Sequence, residues 1–179
     1  YIINGAKNIT FTDSVFKGLA TAYVPEGGKV AESGMRITNV DGFNFENNEV
    51  SNFFHAMGIT FSKNLVIRDN EFHHMQGDSM RIGQVEDIRI ENNWFHDLLG
   101  VDQSITHNDY IQFWTSNTTT GSKDIVIRGN IMAKADHNSQ GIFMRDELGD
   151  KTGDPATRYK NVLIEDNFLD NGHHHGITI

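Results

Sequence analysis

Between His107 and Trp114 the chain reads His-Asn-Asp-Tyr-Ile-Gln-Phe-Trp. An imidazole, a carboxyl, a phenol, an amide and an indole thus fall within one strand-like stretch. Asp78 and Arg81 precede it with the same Asp-to-strand spacing as Asp109. Arg81, His107 and Tyr110 supply a cation, a base near neutral pKa and a proton donor. Those are the groups needed to remove a proton next to a carboxylate. On a uronate sugar the set serves β-elimination, or return of the proton from the other face (epimerisation). Asp78 and Asp109 could orient these groups. They could instead be an acid and base, or acid and nucleophile, for glycoside hydrolysis, or turn-capping residues that accept backbone N–H bonds. Trp114, Tyr110 and Phe143 suit stacking on the apolar faces of sugar rings, or packing of loops on a sheet.

These residues mean something together only if a scaffold brings separate stretches side by side. An internal repeat provides it. Six segments, Ile9 to Phe16, Phe43 to Val50, Leu65 to Phe72, Ile88 to Phe95, Ile125 to Met132 and Val162 to Leu169, share one template. Each reads apolar, any, apolar, any, any, Asn, any, apolar, with Ser14 in place of the first Asn. The Asn column, Asn48, Asn70, Asn93, Asn130 and Asn167, steps by 22, 23, 37 and 37 residues. A step of 22 or 23 is one coil, and the longer steps are a coil plus an insertion. Asn suits the bend because it tolerates left-handed angles, and stacked amides can bond along the axis. Two residues before each Asn stand Glu46, Arg68, Glu91, Arg128 and Glu165. Their alternating sign requires that successive segments stack in this order.

A second strand is expected in every coil, at Met35 to Ile37, Ile59 to Phe61, Met80 to Ile82, Ile111 to Phe113, Ile142 to Met144 and Ile177 to Ile179. Its middle residues, Arg36, Thr60, Arg81, Gln112, Phe143 and Thr178, point outward. Thr38, Ser62, Gly83, Trp114 and Arg145 follow two residues on, and His55, Gln76, His107, Asn138 and His173 form a column before the strand. Insertions at Lys17 to Ser33, Asp97 to Asp109, Asp136 to Gln140, Thr115 to Lys123 and Arg145 to Lys160 flank this strand and predict a trough. The catalytic candidates are His107, Tyr110, Arg81, Asp78 and Asp109. The substrate-binding candidates are Arg36, Gln112, Trp114, Arg145 and His55.

His73 and His96 share one position on adjacent coils and predict a stacked surface pair. His173, His174 and His175 lie inside a strand-like repeat, where alternation keeps them from facing one ion. The acidic stretch 146–154 (Asp146, Glu147, Asp150, Asp154) could hold Ca²⁺ through oxygen ligands but lacks EF-hand spacing, and otherwise is a solvated loop. No other metal and no organic cofactor is indicated.

With 179 residues the chain is one domain. A net charge of −9, from 15 Lys+Arg against 24 Asp+Glu, argues against a nucleic-acid partner. It leaves room for an acidic polymer met by local cations. There is no cysteine, which removes disulfides and thiolate chemistry. No apolar run is long enough to span a membrane.

The repeats Asn-Leu-Val-Ile-Arg-Asp-Asn-Glu-Phe (64–72) and Asp-Ile-Arg-Ile-Glu-Asn-Asn-Trp-Phe (87–95) resemble the right-handed parallel β-helix superfamily, which includes pectate-lyase-like proteins, alginate lyases, mannuronan C5-epimerases and phage tailspikes. The segment Ile111 to Trp114 is similar to a rung of the epimerase-like group. The Asp-Pro-His signature of those epimerases is absent, and the nearest element is His107-Asn108-Asp109. No catalytic residue therefore carries over by motif. The resemblance implies an all-β, right-handed single-stranded parallel β-helix of about six coils. It also implies a bacterial or phage protein, secreted or at the cell surface, acting on an acidic polysaccharide as lyase or epimerase. The other readings are a hydrolase using Asp78 and Asp109, and a non-catalytic glycan-binding or structural β-helix such as a tail-fibre component. The abrupt ends of the repeat predict a piece of a longer chain, or coil ends that stack end to end or on another copy.

Overall fold

A computed structural model describes residues 1–133, 135, 137, 139–170 and 175–179. The chain winds into a parallel β-helix with three faces. Among the described residues, sheet A has seven strands: Ile2–Asn4, Met35–Thr38, Met57–Thr60, Met80–Gly83, Asn108–Trp114, Ser139–Arg145 and Ile177–Thr178. Sheet B has six: Lys7–Thr12, Asp41–Glu46, Lys63–Arg68, Glu86–Glu91, Lys123–Arg128 and Lys160–Glu165. Sheet C also has six: Val15–Lys17, Glu49–Ser51, Glu71–His73, Trp94–His96, Ile131–Met132 and Phe168–Leu169. Every pairing is parallel and joins one coil to the next. Among the described residues no helix is long and apolar enough to cross a membrane.

The eight-residue template is two strands, not one. It bends at the Asn, so that the first two apolar columns belong to sheet B and the third to sheet C. Inside, Phe43, Leu65, Ile88 and Ile125 stack over one another, as do Phe45, Ile67, Ile90 and Ile127. All are buried, and burying such a side chain stabilises by about 1.5–3 kcal/mol.

The bend is held by amides. Asn48, Asn70, Asn93 and Asn130 each donate from Nδ2 to Oδ1 of the next Asn in the column, at 2.9–3.2 Å. Each Oδ1 from Asn70 onward also accepts the backbone N–H of the Asn one coil before, at 2.9–3.1 Å. The left-handed residue at this bend is the one before the ladder Asn: Asp13, Asn47, Asp69, Asn92, Gly129 and Asp166 all have φ between 53° and 64°. The ladder Asn residues are there for hydrogen bonding, not for backbone tolerance. Outside the bend, Arg68 lies 2.8 Å from Glu46, and Arg128 lies 2.7 Å from Glu165.

One rung differs from expectation. Sheet A pairs Met35 with Met57 and Met57 with Met80. The second coil therefore contributes Met57-Gly58-Ile59, and Gly58, not Thr60, stands between Arg36 and Arg81. Thr60 belongs to the next column, where its hydroxyl lies 3.1 Å from that of Thr38. Phe61 leaves the strand in a left-handed turn. Met57-Gly58-Ile59-Thr60-Phe61 alternates equally well in either register, so alternation alone cannot choose.

The ladder predicts a ranking of stability losses. Asn93→Ala leaves the buried N–H of Asn70 without its acceptor and removes the side-chain bond to the Ile67 carbonyl. It is expected to cost about 3 kcal/mol. Glu46→Ala, at an exposed pair, is expected to cost under about 1 kcal/mol. Urea denaturation of both variants checks this, and equal losses would contradict the role given to the ladder.

Candidate active site

Sheet A carries the outward candidates, and loops wall both of its edges. On the edge where the chain enters sheet A, the 18–33 and 98–107 loops are joined by a parallel bridge between Val24 and Val101. Gln76 clamps the first loop, accepting from Ala31 N–H at 2.8 Å and donating to the Ala22 carbonyl at 2.9 Å. On the opposite edge, Thr115 N–H donates to Glu147 at 2.9 Å, and Gly121 N–H donates to the Thr157 carbonyl at 2.6 Å. Between these walls the floor has two depressions. One, of about 600 Å³, is lined by Arg36, His55, Gly58, Thr60, Arg81 and Trp114. The other, of about 490 Å³, holds Phe143, Arg145, Tyr159 and Thr178. The rung of His107 and Gln112 stands between them.

The corrected register puts His55 in the same column as Asp78 and Asp109, not with Gln76 and His107. His55 Nδ1 lies 3.8 Å from the Asp78 carboxyl and 3.3 Å from its carbonyl oxygen. Burial, with the Arg81 charge nearby, pushes the His55 pKa down to about 4, so it is neutral at pH 7. Asp109 N–H donates to Asp78 Oδ1 at 2.9 Å, which realises the turn-capping role for Asp78. Both carboxyls are buried, at 1% and 0% exposure. Burial and the adjacent Asp109 push the Asp78 pKa up to about 8.

Above this buried pair stands His107. Its Nδ1 donates to Asp109 Oδ2 at 2.9 Å, and the edge of its ring meets Phe143 at 5.1 Å. Those contacts fix the imidazole and leave Nε2 as the atom to be presented outward. The side chain is 45% exposed, and the bond from Asp109 raises its pKa above the ordinary 6.5. Arg81 is held at its Nε, which donates to Gln112 at 3.1 Å and lies 3.4 Å from Asp78. Its guanidinium lies over the Trp114 ring, 5.1 Å from the centroid. Among the described residues the terminal N–H groups of Arg81 make no hydrogen bond, and they are the donors available to a ligand.

Seven of the ten candidates therefore come together or adjoin: Asp78, Arg81, His107, Asp109, Gln112, Trp114 and His55. Arg36 joins them across Gly58. Arg145 sits apart, in the second depression. Tyr110 does not belong to the site. Its ring is buried against Phe95, and its hydroxyl donates to the Ala133 carbonyl at 2.5 Å. Burial raises its pKa to about 12. The chain turns a corner here, so Tyr110 and Ile111 both face inward and the alternation counted back from Ile111 fails. Ala56, Ser79 and Gly141 occupy the same corner on other coils, and a run of small residues at one position is the signal of an inside corner.

Gly58 is the residue that sequence reasoning missed. A Cβ placed there meets nothing within 4 Å, so the floor between Arg36 and Arg81 is open. Spacing held the clue. Ile37 to Phe43, Ile59 to Leu65 and Ile82 to Ile88 are all six residues, and this sets the register that the alternation left open.

Asp146 caps the helix Glu147–Thr152 by accepting from Gly149 N–H, and it pairs with Arg158 at 3.0 Å. Asp154 caps the 3-10 helix Pro155–Thr157. Among the described residues no group of three or more His, Asp or Glu side chains is placed to hold a metal ion. His73 and His96 stack at 5.1 Å on sheet C, away from the groove. Asn138, His173 and His174 lie outside the described residues.

The Asp78 shift predicts a pH dependence of stability. Its folded value of about 8 lies above the ordinary 3.8. Between these values the folded state keeps a proton that the unfolded state releases, so stability falls as pH rises through that window. Asp78→Asn is expected to flatten the fall, as read from urea midpoints at about pH 5 and about pH 8.5. Parallel losses in wild type and variant would show that another group carries the proton.

A family model described as the right-handed β-helix region matches residues 1–179. No curated protein and no solved structure matches the chain.

Proposed function

The chain belongs to the right-handed β-helix family, and on that scaffold we propose an enzyme that cleaves an acidic polysaccharide by β-elimination. The observation that carries this reading is His107, fixed by Asp109 on the rung between two depressions, with the donors of Arg81 one rung away. A sugar chain lying along the trough would fill both depressions and place one linkage at His107.

The chemistry follows from the groups present. Arg81 neutralises the carboxylate of the reacting uronate, which makes its C5 proton more acidic. His107 Nε2 takes that proton. The C5–H electrons form the C4=C5 double bond, and the C4–O bond breaks. The leaving oxygen takes a proton from the His107 imidazolium where it departs on the ring face that the base occupies, and from water where it departs on the opposite face. Asp109 holds the ring and balances its charge. The open floor at Gly58 admits a neighbouring sugar, whose carboxylate meets Arg36. Trp114 offers a flat apolar wall.

Elimination is favoured over epimerisation because Tyr110, the candidate donor for the opposite face, is inside the coil. Hydrolysis by Asp78 and Asp109 requires two carboxyls open to a cleft, whereas both are buried and engaged with backbone N–H, imidazole and guanidinium groups. Polymers of this kind are met outside the cell, so the proposed place of action is extracellular or at a cell surface.

Incubation with polygalacturonate and alginate tests the proposal. The expected product is unsaturated uronate ends, followed by ultraviolet absorbance. His107→Ala is expected to lower kcat by roughly 10²–10⁴-fold. The rate should rise with pH through the His107 pKa, with a midpoint above 6.5. Asp109→Asn should move that limb to lower pH, because it removes the bond that raises the pKa. Absence of unsaturated ends on every acidic glycan, with the fold intact, would refute elimination.

A further inference from the structure

A second cleft, of about 570 Å³, lies outside the trough, at the corner where sheet A turns into sheet B. Three stacked corner residues, Asn39, Phe61 and Gln84, line it, with φ of 55°, 52° and 52°. Asn tolerates that conformation, but in a bulky residue it is unfavourable. Burial does not offset the cost at Phe61, which is 44% exposed. An aromatic ring is thus held, against its backbone preference, in an open cleft.

Charge points the same way independently. The chain carries a net −9. Yet Lys63, Lys123, Lys160 and Arg158 line this cleft with Asp41 and Glu86. Lys63 is 3.4 Å from Asp41, and Arg158 is 3.0 Å from Asp146. Lys123 is 2.9 Å from Glu86. Lys160, its neighbour in the strand register, forms no ion pair among the described residues. The roof is built as well. Thr119 N–H donates to Gln84 Oε1 at 2.8 Å. The 115–122 loop approaches the 155–160 segment so closely that a Cβ on Gly121 would fall 2.6 Å from the Arg158 backbone.

We propose that this cleft is a non-catalytic binding site for an acidic sugar chain, with Phe61 as the stacking platform and Lys123 and Lys160 as the carboxylate contacts. A pyranose ring presents an apolar C–H face to the phenyl ring and its carboxylate to the ammonium groups. The site shares a ligand class with the trough, and Arg158 lines both, but Phe61, Lys123 and Lys160 line this cleft and neither depression of the trough. It would hold the polymer to the protein while the trough acts on another stretch of it.

The test uses calorimetric titration of oligogalacturonate into the triple variant Arg36→Ala/Arg81→Ala/Arg145→Ala, which removes the three candidate arginines of the trough. This background is expected to retain binding. Adding Phe61→Asn should weaken that binding roughly tenfold and leave the melting temperature unchanged or higher, since Asn suits the corner. Three results would overturn the proposal: no binding by the background, equal binding with and without Phe61, or equal affinity for a neutral oligosaccharide of the same length. Failure of the elimination reading would show instead as missing unsaturated ends from the wild-type protein, which leaves this titration untouched.

Discussion

Everything in this molecule depends on one coil stacking on the next in a fixed register. Backbone pairing sets the spacing at about 4.8 Å, but pairing alone would tolerate a slip. The buried amides do not. Asn70, Asn93 and Asn130 each bond to the Asn above and below, and donate to a sheet B carbonyl as well. A coil displaced by one residue would leave those amides unsatisfied in the core. It would also turn every apolar column outward. The Glu and Arg column on the outside adds little energy and follows the same register.

That constraint is what makes a site possible on a repetitive surface. Outward residues from separate coils are held in columns, so Arg36, Gly58, Arg81 and Gln112 stand in line although up to 76 positions separate them in sequence. The loops then decide which part of sheet A stays open. The unusual investment is the pair Asp78 and Asp109. Two carboxyls buried side by side are unfavourable unless one holds a proton or cations balance them. Here Asp78 holds a proton at neutral pH, Arg81 and His107 lie against the two carboxyls, and each of them stands at the edge of the groove. The buried pair therefore makes sense as the support that positions two groups for a ligand. A purely structural corner would be served as well by Ser or Asn.

Sequence and structure agree where periodicity is redundant and part where it is not. The Asn column and the Glu46 to Arg68 alternation could be read because many coils repeat them. The three-sheet cross-section was hidden because a bend at Asn leaves the apolar pattern intact on both sides. The second rung was misplaced by two residues because Met57, Ile59 and Phe61 alternate in either register, and only the distance to Leu65 distinguishes them. That slip concealed Gly58 as the gap in the floor and misplaced His55, which stacks on Asp78. Tyr110 was read as a groove residue because alternation was carried across a corner. The contacts of Asp78, Asp109, Arg81 and His107 required coordinates, since the pattern specifies columns but not how side chains within them meet.

The central claim is that a uronate chain lies along sheet A with its reactive carbon at His107. The most direct measurement is the structure of the His107→Ala protein with a bound oligouronate. The account predicts one sugar carboxylate on the terminal N–H groups of Arg81, the next sugar over Gly58 toward Arg36, and a C5 hydrogen facing the space vacated by the imidazole. A chain bound elsewhere on the coil, or one crossing sheet A with its carboxylates away from Arg36 and Arg81, would contradict it.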